Sequence, residues 1–335
     1  MSRPQPDRPM DERRTKKQPS IVTRGLRRLE FGLLIVATSA VRAVPVAVAS
    51  DVMAAMWRTI APLLPRHARA LEHLEHAFPE LPAERRRWIA RQMWGNLGRV
   101  TAETIQLDRL VADPSRFEVT PAGLETLSRG RDGAVLVSLH MGNWEVVIQA
   151  ANAAKLSSTG VYQTLRNPLV DDWLQALRAP LYPGGLLPKG SATARQMLGR
   201  VKRGQVVAVL GDLRESAGIQ VPFFGRPAYA NPFPAMAARI GGVPMIAGRV
   251  RRLEGTRFVI DAVEVPVSHT ADRIADVHAT TAAMHAQFEA WIREAPEQWM
   301  WAHRKWETKQ AGRRARRAVA AEARADALSA GSSEE

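Results

Sequence analysis

Residues 134–147 read AVLVSLHMGNWEVV, and their rhythm decides the fold. The apolar run at 134–139 is the kind that a strand buried on both faces needs. His140 follows, Gly142 permits a tight turn, and a helical pattern takes over from 144 to 155. The same alternation recurs along the chain. Strand-like runs at 206–210, 243–249 and 258–263 are separated by helical stretches at 168–178, 193–201 and 234–240. Strands spaced by helices predict an α/β domain with a central, mostly parallel sheet flanked by helices. Upstream, residues 82–107 repeat apolar positions at Trp88, Ile89, Met93, Leu97 and Val100, one amphipathic helix. A last long helix is expected over 271–294.

The chain has 335 residues, of which 46% are hydrophobic, enough for a large core. It contains no cysteine, so disulfides, thiolate zinc sites and a cysteine nucleophile are excluded. The net charge of +14 implies an anionic partner. Residues 1–28 carry +6 of it and residues 303–335 carry +3. We therefore expect a disordered basic tail at 1–24, a membrane-anchoring helix at 25–50, a globular domain at 51–308 and a basic, Ala-rich tail at 309–335. Within 25–50 the uninterrupted apolar run covers only 31–41 before Arg42 and Pro45, shorter than a span. An embedded or in-plane helix fits that length. A full span with Arg42 snorkelling, and a helix packed on the protein's own core, are the alternatives. In a span, Arg24, Arg27 and Arg28 would hold the N-terminus in the cytoplasm.

His140 falls at the end of the first buried strand, and Glu145 lies in the first turn of the next helix. Such a turn can bring the two side chains together. A carboxylate that fixes the imidazole tautomer makes a general base for an attacking hydroxyl, although this spacing alone equally describes a capped helix beside a strand-end histidine. His73 and His76 read as a solvated helix face, His278 and His285 share a stripe of the last helix, and His303 reads as structural. Trp299, Trp301 and Trp306 suit packing of the C-terminal segment on the core. No metal site is expected.

HMGNWE at 140–145, VPFFG at 221–225 and APEQWMWAHRKW at 295–306 occur in the order found in the lipid A late (lauroyl/myristoyl) acyltransferase family, which also includes phosphatidylinositol mannoside acyltransferases. The chain resembles that family from about residue 27 to 306. The resemblance implies a glycerolipid-acyltransferase-like fold and transfer of a fatty acyl chain from a thioester to a glycolipid hydroxyl. It assigns His140 and Glu145 to the catalytic dyad, and Arg178, Arg166, Asn143 and Asp212 to substrate binding. Gln163 departs from the family, where a basic residue is expected. The implied co-substrate is an acyl carrier protein or coenzyme A thioester, without a cofactor. The implied partners are a phosphorylated glycolipid and anionic inner-membrane lipids, at the cytoplasmic face. The competing reading is a basic protein that binds nucleic acid or anionic lipid without catalysis. The charge concentrated in the tails and the lack of a nucleic-acid motif oppose it, so no nucleic-acid partner is expected.

Overall fold

The computed structural model describes residues 20–306. The expected tails at 1–24 and 309–335 lie outside these residues, save for 20–24. In chain order the strands are β1 (Phe117–Val119), β2 (Ala134–Ser138), β3 (Ser158–Tyr162), β4 (Leu186–Pro188), β5 (Val206–Leu210), β6 (Ile219–Phe223), β7 (Arg226–Ala230), β8 (Met245–Arg252) and β9 (Phe258–Val265). Seven form one sheet in the order β1-β9-β8-β2-β5-β3-β4, parallel at every pairing except β8 with β9. The α/β class with a mostly parallel sheet is thus as the sequence predicts.

The helices are α1 (Ile21–Arg42), α2 (Val46–Ile60), α3 (Pro65–Ala77), α4 (Ala83–Ile105), α5 (Leu107–Val111), α6 (Pro121–Ser128), α7 (Gln149–Ala153), α8 (Pro168–Arg178), α9 (Ser191–Lys202), α10 (Phe233–Gly241) and α11 (Arg273–Glu294). They cover the sheet in two layers, because side chains alternate along each strand. Val135 and Val137 of β2 join Met93 of α4, Met197 of α9 and Phe288 of α11 in one core. Leu136, between them, joins Leu110 of α5, Leu127 of α6 and Ala151 of α7 in the other.

Three departures have local causes. The helix expected over 144–155 is instead a 3-10 turn, Trp144–Val146, followed by α7. Gly142 stands at φ +58°, and the Asn143 side chain accepts from the Glu145 N–H, so the chain turns before it can wind. The apolar helix expected over 25–50 is likewise two helices, broken between Arg42 and Pro45. Arg42 is held by the Asp108 carboxylate and the Ile105 carbonyl, and Pro45 caps the start of α2. Among the described residues, the segment long and apolar enough to cross a membrane is Val46–Leu63. Finally, VPFFG forms the hairpin of β6 and β7, with Phe224 (φ +51°) and Gly225 (φ +69°) as its two-residue loop. Burial of the Phe224 ring against Phe78 and Trp301, and an N–H bond to Glu289 at 2.5 Å, hold this unusual conformation.

Candidate active site

The register of two neighbouring parallel strands builds the centre. Ser138 of β2 lies opposite Leu210 of β5, so the residues two steps beyond each strand, His140 and Asp212, emerge side by side. Carboxyl ends of parallel strands are where α/β sheets bind ligands. Asp212 takes hold of His140 twice: Oδ2 accepts the His140 backbone N–H at 2.9 Å, and Oδ1 meets Nδ1 at 2.8 Å. Trp299 Nε1 donates to Oδ2 at 2.9 Å. Burial opposes ionisation of Asp212, but His140 and these donors outweigh it and hold the carboxyl well below the usual range. With Nδ1–H donated to Asp212, the lone pair of the imidazole lies on Nε2, which has no partner among the described residues.

Glu145 therefore does not orient His140, contrary to the sequence reading. The 3-10 turn points its carboxylate at Arg178, the last residue of α8. Arg178 Nε donates to Oε2 at 2.7 Å and Nη2 to Oε1, while Trp144 Nε1 reaches Oε1 at 3.1 Å. This bidentate pair is largely buried, with side chains 21% and 9% exposed. Trp144 also lies beside the His140 ring, with centroids 5.0 Å apart.

His140, Glu145 and Arg178 line a cavity of about 1060 Å³. Its lining includes an apolar group, Leu127 of α6, Ile148 and Ala151 around α7, and Leu136, Ile246 and Ile260 of the sheet, together with the polar Gln163, Lys189, Glu215 and His303. A long apolar body with a polar, reactive end fits such a space.

Three of the four expected substrate ligands are elsewhere: Asp212, 1% exposed and not lining the cavity, holds His140 instead. Asn143 is fully buried and donates to Glu103 Oε2 at 2.7 Å, within a network of Glu103, Arg252 and Ser50 beneath the turn. Arg166 is exposed and does not line the cavity. The histidine readings also change. His73 is buried, with Nδ1 on the Trp301 carbonyl at 2.9 Å, rather than part of a solvated face. His303 borders the cavity, where burial depresses its pKa to about 4. The three tryptophans pack into the core as expected, and Met300 N–H donates to the His140 carbonyl at 3.1 Å. Tyr182, half-buried and lining the cavity with Arg178, escaped the sequence reading, as did Trp299 as a ligand of Asp212. Both needed tertiary contacts that no local motif reports. Among the described residues no group of acidic or histidine side chains is arranged to hold a metal ion.

Sequence comparison gives this geometry its setting. Residues 16–308 match the bacterial lipid A biosynthesis acyltransferase family. The chain belongs to that family. It is 27% identical over 252 residues to a lipid A biosynthesis lauroyltransferase of Escherichia coli K12, covering 72% of this chain and 78% of that protein. The chain is accordingly an acyl-transferring enzyme of lipid A biosynthesis, and the reading as a binding protein without catalysis falls away.

Proposed function

We propose that the enzyme moves a fatty acyl chain from an acyl thioester, carried by an acyl carrier protein or coenzyme A, to a hydroxyl of a lipid A precursor or related glycolipid, with His140 as general base. The observation that carries this reading is the Asp212-held imidazole on the wall of a large, mostly apolar cavity. His140 Nε2 takes the proton of the acceptor hydroxyl as its oxygen attacks the thioester carbonyl. The tetrahedral oxyanion is held by backbone N–H groups or by Arg178, whose remaining N–H groups Glu145 leaves available. Collapse expels the thiolate, which recovers the proton from the imidazolium. Transfer is direct, and a chain without cysteine has no thiol to carry the acyl group.

Membrane attachment is supported by α1 and α2. Leu26, Leu29, Leu33 and Val36 of α1, and Val48, Val52 and Met56 of α2, are large apolar side chains left exposed. The +6 charge at the N-terminus suits anionic lipid at the cytoplasmic face of the inner membrane. Membranes from cells expressing the parent, His140→Ala and Asp212→Asn proteins test the chemistry. Both variants should lose at least about 100-fold in acyl transfer, and a His140→Ala enzyme as fast as the parent would refute the base. Mass spectrometry of glycolipids from a strain lacking the gene tests the acceptor, since unchanged acylation excludes lipid A.

A further inference from the structure

One buried charge near the site has no part in the chemistry above. Lys305 is 1% exposed, and its ammonium has a partner for each direction it faces. Nζ donates to the Asp212 carbonyl at 2.7 Å and to His285 Nε2 at 2.9 Å, and it lies 4.9 Å from the centre of the Phe223 ring. His285 is itself fully buried, and its Nδ1 meets the Thr281 carbonyl at 3.0 Å, which fixes it as the neutral tautomer that accepts from Lys305. None of these partners is an anion. A cation is not buried on two neutral acceptors without a counter-charge close by, and the one at hand is the carboxylate of Asp212, the residue whose carbonyl Lys305 holds.

We infer that Lys305 is a positioning residue that serves as the buried counter-ion of Asp212, so that His140 can stay unprotonated while hydrogen-bonded to a carboxylate. The inference rests on His140 being the base. A lone buried carboxylate draws a proton onto the imidazole it touches, because an imidazolium is then its cheapest compensation. An imidazolium has no lone pair with which to deprotonate a hydroxyl. With Lys305 charged, Asp212 is already neutralised, and it orients His140 without filling Nε2. Burial, partly offset by the Asp212 carboxylate, lowers the Lys305 pKa to about 8, so the ammonium persists at neutral pH. The other titratable groups facing this cluster are consistent with that balance. His285 and His303 are depressed to about 3 and about 4 and stay neutral, Arg69 acts on His303, and Glu145 and Arg178 neutralise each other on the cavity side.

The test is the pH dependence of kcat/KM for the full-length enzyme in its membrane, with Lys305→Met, Lys305→Gln and Lys305→Arg. Gln keeps a donor for the Asp212 carbonyl but no charge, and Arg keeps the charge. Both neutral variants should move the acid limb of the profile upward by about one pH unit. Their activity should be depressed about tenfold below the limb and should approach the parent's above it, while the arginine variant keeps the parent's limb. Urea midpoints of each variant over the same pH range separate a moved limb from acid unfolding of a weakened protein, and a limb that follows the midpoint counts against the inference. An unmoved limb in the neutral variants, or an equal loss at every pH, overturns the inference. Unimpaired His140→Ala would instead overturn the base on which it rests, and the two failures are distinguishable.

Discussion

Asp212 and Glu145 are two carboxylates close to the same imidazole in space, and their neighbours divide the labour. Asp212 accepts from His140 and Trp299, so its charge acts on an imidazole; Glu145 accepts from Arg178, so its charge fixes a guanidinium. The two should therefore fail differently on amidation. Glu145→Gln leaves a mostly buried arginine without its counter-charge, at a cost on the order of 3 kcal/mol in stability. It frees Arg178 to wander and should lower kcat about 10- to 100-fold, yet the pH at which His140 titrates in the rate profile should stay put. Urea unfolding and a pH–rate profile of the one variant check both halves, and a shifted profile would mean that Glu145 acts on His140 after all.

The apolar face of α1 and α2 makes its prediction at the scale of the element. Leu29, Val36 and Val52 are 61%, 71% and 61% exposed, so replacing them with Asp removes membrane affinity without emptying any core. The triple variant should stay folded by circular dichroism and move from the membrane pellet to the supernatant. Retention in the pellet would show that other surfaces hold the enzyme. Elements also mark how far the sequence could be read. β2, β5 and α11 were legible because burial on both faces, or on one helical stripe, leaves a periodic apolar trace, and α8 because its apolar residues recur at helical spacing. β3 was not, because its Ser158 and Thr159 are buried polar residues that break the apolar run. The site divides the same way. His140, Glu145 and Arg178 sit in recognisable local strings, and all three reach the cavity. The pairing of His140 with Asp212 depends on the register of strands 72 positions apart, which local spacing does not encode. Asn143 and Arg166 lie in those same strings, and only tertiary placement separates them from the site.

At the scale of the whole molecule, burial of histidines ties stability to pH. His73, His285 and His303 have their pKa values lowered from 6.5 to about 4, about 3 and about 4, first by desolvation. The unfolded chain thus binds protons that the folded one refuses between about pH 6.5 and 4, and stability must fall as pH drops through that window. The loss should amount to a few kcal/mol by pH 4.5, since a tenfold weaker hold on one proton is worth about 1.4 kcal/mol. Urea midpoints measured from pH 7.5 to 4.5 should decline, and His73→Gln should flatten part of the slope. A midpoint independent of pH would contradict the buried neutral rings.

The C-terminal segment also orders events in time. Gln298, Trp299, Met300 and Lys305 supply the backbone bond to Gly142, the indole bond to Asp212, the amide bond to His140 and the buried ammonium. During synthesis these are made after every strand of the sheet, whereas α1 and α2 leave the ribosome first. The His140 cluster thus lacks these four supports until the tryptophan-rich segment docks, and the cavity gains its complete polar lining only then.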